Sequence, residues 1–392
     1  MTSPPAPRVL LVTTSFPLSP DSSSGIFVKR LADALHDDAR VTVLTPDGCR
    51  IAVRHTPYPV VPVRYAPRHL QGLTHLPGGI PAGLRARKLN WLLLPVLFGG
   101  LFGATLLRAA RTDVIHANWS LTGLSCALAG RLCRRPVIVT LRGSDVSGLK
   151  HSRGRRSVCA AVLKLADHVV TVSESMRADL LLHFPQHAAR IEHIPNGVDE
   201  ALLSLPVADP AHGSLRLIFV GNLIAGKGVH ELLSALQNAD GAFSLTMVGD
   251  GPARAQLQAQ VTELGLEQHV RFTGTVAPEA IAGLLAEHDV LVLPSHAEGR
   301  PNAVVEAMAA ARAIIASDLP GVAELITHGR EGLLVAPGDI PALRDALHSL
   351  AATPARCTEL GLAARARILD LGLDWHHCAQ RYLALYSKAR GD

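Results

Sequence analysis

Short continuous apolar runs alternate along this chain with longer stretches in which apolar residues recur every three or four positions. The runs fall at residues 8–13, 41–44, 114–117, 137–140, 168–172 and 191–194, and then at 215–220, 243–248, 270–272, 290–293 and 313–316. Helical spacing occupies 27–35, 121–132 and 157–166 in the first half, and 229–236, 254–264, 278–287 and 302–310 in the second. Continuous apolar strands separated by helices predict parallel sheets covered on both faces. The Pro- and Gly-containing break at 204–214 reads as a linker. The expected fold is α/β, with two doubly wound Rossmann-like domains at 1–203 and 215–373 facing a cleft. In such domains ligand-binding loops lie at the carboxyl ends of the strands. The last apolar-periodic stretch, 374–390, carries Cys378, Tyr382, Leu385 and Tyr386 on one helical face.

One segment departs from this rhythm. Residues 89–107, LNWLLLPVLFGGLFGATLL, carry no charge and have the length of a membrane span. Pro95, Gly99, Gly100 and Gly103 interrupt it, and basic residues flank both ends. It therefore reads as a helix of the fold, with insertion into one leaflet left open as an alternative.

Charge sharpens the division into halves. The chain has 392 residues, 48% apolar and only 18% charged, which excludes a disordered chain. The formal charge of +5 resolves into +11 for residues 1–203, with 24 basic and 13 acidic side chains, and −6 for the remainder, with 14 and 20. Between Asp47 and Asp113 there are nine basic residues and no acidic one. That stretch lacks aromatics interleaved at a recognisable spacing, which argues against a polynucleotide and for an anionic membrane surface as partner. The six cysteines form no C-x-x-C pair, and His376, His377 and Cys378, adjacent in sequence, make a poor chelate. No metal site is expected, and the thiols suit a reducing compartment. The apolar run at 9–12 is too short for a signal core, so the cytoplasm is the expected location.

Two loops carry the chemistry-bearing residues. After strand 215–220 comes Gly221-Asn-Leu-Ile-Ala-Gly-Lys227-Gly228 and then a helix. Glycines that admit phosphate oxygens to backbone N–H groups, a helix amino end and one lysine make an anion site, although an ordinary turn would read the same. After strand 290–293 comes Pro294-Ser-His-Ala-Glu298-Gly-Arg-Pro-Asn-Ala-Val-Val-Glu306. Two carboxylates near one strand end can accept hydrogen bonds from sugar hydroxyls. Equally, Glu306 suits a helix amino end electrostatically and Glu298 suits a solvated loop.

Read together and in order, the fragments resemble family 4 of the retaining glycosyltransferases, enzymes of two Rossmann-like domains (the GT-B fold). The matching pieces are Thr14-Ser-Phe-Pro, Ser24-Gly-Ile-Phe-Val, Asp113-Val-Ile-His-Ala, Arg142-Gly-Ser-Asp145, Val172-Ser-Glu-Ser-Met-Arg and Ile194-Pro-Asn-Gly-Val-Asp199 in the first half. In the second half they are Phe219-Val-Gly-Asn-Leu, Lys227-Gly, Val248-Gly-Asp-Gly-Pro, the E-x7-E signature from Glu298 to Glu306, and Asp318-Leu-Pro-Gly-Val-Ala-Glu324.

The resemblance implies transfer of a sugar from a nucleotide-sugar donor, a substrate rather than a cofactor, with no metal. It implies that Lys227 meets the diphosphate and Glu306 the ribose. Glu298 lies by the transferred sugar with Gly299, Arg300, Pro301 and Asn302. Gly25 belongs to a loop near the donor phosphates, and His116 stands beside the reacting sugar. His116, Glu298 and Lys227 are thus the expected catalytic groups, with Arg142 and Asp145 as acceptor-side candidates. The final helix is expected to cross back to the first domain. Three positions depart from the family pattern. Asn222 replaces an expected arginine among the donor-binding residues, Arg142 stands where the family has histidine, and Ala311-Arg312-Ala313 replaces Gly-x-Pro. The expected role is polysaccharide or glycolipid assembly at the inner membrane face, with a lipid-linked or carbohydrate acceptor and peripheral membrane contact through 64–111. A nucleotide-sugar epimerase and a catalytically silent binding subunit are the alternatives.

Overall fold

The computed structural model describes residues 6–17, 24–47, 56–74, 79–146, 149, 152–210, 213–237, 241–298 and 300–391. The chain forms two compact units. One comprises Met1–Asn196 with Trp375–Asp392, and the other Gly197–Asp374.

The first unit is built on seven strands: β1 (Arg8–Val12), β2 (Arg40–Pro46), β3 (Val60–Val63), β4 (Val114–Asn118), β5 (Val137–Leu141), β6 (His168–Thr171) and β7 (Ile191–His193). They pair in parallel in the order β3-β2-β1-β4-β5-β6-β7. Alternate side chains serve two cores. Leu10, Val12, Ile115, Val137 and Val139 pack beneath helix Leu93–Ala109 and its neighbours. Val9, Leu11, Val114 and Ile138 pack beneath helix Ile26–His36 and the C-terminal helix Trp375–Arg390. Tyr382 and Tyr386 of that last helix are fully buried in the first unit.

The second unit contains β8 (Leu215–Val220), β9 (Phe243–Val248), β10 (Val270–Gly274), β11 (Val290–Leu293), β12 (Ala313–Ser317) and β13 (Leu333–Val335). They are parallel in the order β10-β9-β8-β11-β12-β13. Both sheets reverse their strand order once, between β1 and β4 and between β8 and β11. At such a switch point the loops diverge and leave a crevice at the strand carboxyl ends.

Two strands lie outside the apolar runs read from the sequence. β3 contains Pro62 and is an edge strand, where a missing N–H is tolerated. β13 is only three residues long and also lies at an edge.

The stretch predicted as a linker is not one over its described residues. Leu202 and Ala208 are buried. The backbone carbonyls of Leu205 and Ala208 accept from Arg365 Nη2 at 2.6 Å and Thr358 Oγ1 at 3.0 Å. The wholly buried Arg312 also donates to Pro206 O. Proline-rich backbone has carbonyls without matching N–H groups, and arginines supply the donors. The chain passes between units at Asn196–Gly197 and at Asp374–Trp375, with Val198 N bonded to Leu373 O at 2.8 Å inside the second unit.

The departure at Ala311 has a conformational consequence. Its φ is +52°, the left-handed region that a β-carbon disfavours. Ala311→Gly is expected to raise stability by about 0.5–1 kcal/mol, since relief of that strain exceeds the entropy gained by the unfolded chain. Urea unfolding with an unchanged m-value checks this.

Helix Leu93–Ala109, preceded by a turn of 3-10 helix over Lys88–Leu92, is a helix of the fold. Leu97, Leu101, Thr105 and Ala109 form its buried stripe, and Leu97 and Leu101 join the core with Leu10 and Val12. Its other side is open. Leu89, Trp91, Leu92 and Val96 are exposed, Leu92 at 68%.

Candidate functional site

In the second unit the switch point brings together the loops after β8 and β11. Gly228 closes the first loop with φ +66°, and a β-carbon there would sit 1.9 Å from Pro294 O. Only glycine permits this approach. Across it Lys227 Nζ meets Glu298 Oε1 at 2.5 Å, while Ser295 Oγ donates to the same oxygen at 2.7 Å. His296 N also bonds Gly226 O at 3.0 Å. Two of the three expected catalytic residues are thus in contact. The resting ammonium is already matched by a carboxylate, and each is partly shielded from water, with side chains 24% and 10% exposed.

Pro301 is buried and precedes helix Asn302–Ala309, which carries the exposed Asn302 at its start and the half-buried Glu306 one turn later. Proline before the first helical residue presets the entry φ. Arg300 is half-buried beside it and Asn222 is exposed in the β8 loop. Gly299 lies outside the described residues.

In the first unit the corresponding loops follow β1 and β4. Gly25 has φ +74°, and a β-carbon there would come within 2.3 Å of Ser15 O. The packing of the Ser15 loop on the start of helix Ile26–His36 requires glycine at this position, and Ser15 Oγ meets Ser24 Oγ at 2.6 Å.

His116 is placed otherwise than expected. It is fully buried. Its Nδ1 pairs with Tyr386 OH at 2.7 Å and its Nε2 with Thr140 Oγ1 at 2.8 Å. Thr140 Oγ1 in turn meets Tyr382 OH at 2.9 Å, and the Tyr382 ring lies 4.9 Å from the imidazole. Burial, with the nearby Arg142 charge, lowers the His116 pKa to about 3. The structure thus gives His116 a structural role, bonded to Tyr386 of the C-terminal helix and to Thr140, and presents none of its polar atoms at the surface where a sugar was expected.

The polar group at the carboxyl end of β4 is Asn118, two residues further along the same face. Its Oδ1 accepts from Arg142 Nη2 at 2.8 Å, and Arg142 Nη1 donates to Asn196 Oδ1 at 2.7 Å. The guanidinium lies 4.1 Å over the Phe27 ring and is buried. Burial lowers its pKa. Asp145, at the next turn, accepts from Arg142 N at 2.9 Å, Ser120 N at 3.0 Å and Ser120 Oγ at 2.7 Å. Burial raises its pKa against those three donors. Arg142 and Asp145 therefore do converge. Asn118 was not among the residues expected from the sequence. Period-2 alternation places it and His116 on one face, but only the later residue at the strand's end.

Comparison with known proteins shows the family and the fold. A family model described as Glycosyl transferases group 1 matches residues 214–353, and one described as Glycosyltransferase Family 4 matches residues 24–202. The glycogen synthase of Mycobacterium tuberculosis strain H37Rv is 30% identical over 294 residues, covering 72% of this chain and 70% of that protein. The alpha-maltose-1-phosphate synthase of Mycolicibacterium smegmatis is 28% identical over 310 residues, covering 71% of this chain and 80% of that protein. Among solved structures, Anabaena HepE in complex with UDP-glucose aligns with TM-score 0.74 at 22% identity, covering 97% of this chain and all of that one. The sucrose-phosphate synthase of Thermosynechococcus elongatus aligns with TM-score 0.77 at 25% identity, covering 97% and 98%. The chain belongs to the group 1, family 4 glycosyltransferases and has their GT-B fold.

Proposed function

We propose that this glycosyltransferase moves a sugar from a nucleoside diphosphate sugar to an acceptor hydroxyl with retention of anomeric configuration and without a metal ion, in polysaccharide or glycolipid assembly. The observation that carries this reading is the contact of Lys227 with Glu298 beside the start of helix Asn302–Ala309. HepE, a neighbour in fold, is described in complex with UDP and with UDP-glucose. Leaving of the diphosphate develops negative charge on phosphate and positive charge on the sugar. In this reading Lys227 exchanges Glu298 for the diphosphate, and backbone N–H groups of the glycine loop stabilise the charge where it develops. Glu298, released, accepts from sugar hydroxyls, and Glu306 accepts from the ribose. Arg300 and Asn302 line the sugar side, and Asn222 is left as a neutral donor to phosphate. Attack on the face that the diphosphate leaves retains configuration without a carboxylate nucleophile.

Incubation with a panel of nucleotide sugars and acceptors tests this. A new glycosidic bond of unchanged anomeric form, insensitive to EDTA, is the expected result. Conversion of the free donor to its epimer contradicts it, as does loss of turnover on chelation.

The reading extends to a membrane surface on the cytoplasmic side. Arg85, Arg87 and Lys88 are exposed next to Leu89, Trp91 and Leu92. This pairing of basic and apolar groups suits an anionic bilayer. At about 1 kcal/mol per basic residue, neutralising all three is expected to weaken binding to anionic liposomes by about two orders of magnitude. Added salt weakens the wild type likewise. Equal sedimentation with neutral vesicles contradicts the electrostatic part.

A further inference from the structure

Besides Lys227 and Glu298, a second pair of side chains joins the β8 side of the switch point to the loop after β11. Glu231 stands in the first turn of helix Val229–Ala235, which follows Gly228, and His296 stands in the β11 loop. His296 Nε2 meets Glu231 Oε1 at 2.8 Å. An ionised carboxylate only accepts, so the ring nitrogen facing it carries the proton and donates. The main chain of the same residue is fastened too, His296 N donating to Gly226 O at 3.0 Å. On another side the imidazole lies against the turn after β13, where a β-carbon on Gly338 would sit 3.5 Å from His296 Cε1. His296 is thus tied to the β8 loop and to the helix behind it, and packs on a third segment.

The two pairs differ in what a ligand does to them. Lys227 Nζ and Glu298 Oε1 are 2.5 Å apart, and in the proposed reaction that contact opens. The ammonium turns to the diphosphate and the carboxylate to the sugar. No step calls on the contact between His296 and Glu231. Glu298 also accepts from Ser295 Oγ at 2.7 Å, so the residue just before His296 orients the carboxylate. Once Lys227 has left, Glu298 is aimed by its own short loop, and His296 fastens that loop to the β8 side.

We propose that Glu231 and His296 are a positioning pair for the transfer reaction. They hold the β11 loop in register with the β8 loop while the contact between Lys227 and Glu298 is open, so that Glu298 stays aimed at the sugar. This role rests on the glycosyl-transfer reading. The two side chains are 41% and 24% exposed, and a pair so exposed adds little to global stability. Its effect is geometric, because a displacement of about 1 Å at a reacting centre costs up to about 100-fold in rate.

Steady-state kinetics and hydrogen exchange on the full-length protein test this. His296→Ala and Glu231→Ala are each expected to lower kcat about tenfold, with KM for the nucleotide sugar within about twofold of wild type. Affinity for the best-bound of UDP, GDP and ADP and the melting temperature stay near those of the wild type. The double variant loses no more than either single one, since the same contact is removed. His296→Gln, whose side-chain amide still donates to Glu231, recovers most of the rate. Without nucleotide, the amides of 295–298 exchange in the single variants as in the wild type, because Lys227 and Glu298 still join the loops. With saturating nucleotide they exchange at least about tenfold faster than in the wild type. Wild-type kcat in either alanine variant, losses that multiply in the double variant, or wild-type exchange in the nucleotide complex overturns the positioning role. A wild-type protein that binds none of the three nucleotides and transfers no sugar overturns the transferase reading, and the role of the pair with it.

Discussion

Lys227→Ala is expected to lower turnover by about two to three orders of magnitude, equivalent to roughly 3–4 kcal/mol of transition-state stabilisation. The reasoning is electrostatic. Lys227 is the cation of the β8 loop, and it is held at the switch point by Glu298 at 2.5 Å. A pair so placed has one member that a phosphate can replace, because the incoming group offers the same charge as the carboxylate it displaces. Removing the lysine removes the positive end and leaves Glu298 facing the diphosphate. On the proposed donor role, nucleoside diphosphate affinity therefore falls together with turnover. Glu298→Gln separates the two effects. It frees the ammonium from its partner, so the nucleoside diphosphate binds as tightly as in the wild type or more so, while turnover falls because the sugar loses its acceptor. Steady-state rates and titrations with a panel of nucleoside diphosphates on both variants check the pair of directions. Wild-type affinity for the bound nucleotide in Lys227→Ala would remove the lysine from the donor site.

His116→Ala is expected to destabilise the first unit by about 3–5 kcal/mol. It opens a cavity in a closed core and leaves the hydroxyls of Tyr386 and Thr140 without their partner. The same residue predicts an acid limb of stability. The folded pKa of about 3 lies below the ordinary value near 6.5, so between those limits the unfolded chain binds a proton that the folded chain refuses. Stability is then complete above pH ~6.5 and falls as pH drops toward about 3, by roughly 1.4 kcal/mol per pH unit. Near pH 4 this loss is about 3 kcal/mol. In His116→Ala the baseline is lower, but this part of the pH slope is absent. Urea unfolding at pH 7 and pH 4.5, followed on both proteins, measures both quantities. UDP affinity under folding conditions stays that of the wild type, because Lys227 and Glu306 belong to the other unit.

The strand–helix alternation was legible because parallel strands buried on both faces are continuous apolar runs, and β8, β9 and β11 begin and end where those runs do. The donor loop was legible for a local reason. Gly228 and the residues from Pro294 to Glu298 each lie within a few positions of a strand end, so topology alone brings them together. What escaped the sequence depends on distant partners. His116 and Tyr386 are 270 positions apart, and no local pattern says that a C-terminal tyrosine closes over a strand histidine. Pro206 reads as linker backbone in the sequence, and its partner, the fully buried Arg312, lies 106 positions away.

The opposite charges of the two halves also find places in the structure. On the proposed donor role, Lys227 supplies positive charge locally within an acidic second unit. The basic excess of the first half includes the exposed Arg85, Arg87 and Lys88 beside exposed apolar side chains.

Sugar transfer from a nucleotide donor held by Lys227, Glu298 and Glu306 is tested by a single reaction, the wild-type protein with a panel of nucleotide sugars and a glycoside acceptor in EDTA, followed by proton NMR. Release of one nucleoside diphosphate for each new glycosidic bond is expected, with the donor's anomeric configuration kept in the product, and loss of this signal in Glu306→Ala. Inverted configuration, epimerised free donor, or undiminished transfer by Glu306→Ala would contradict it.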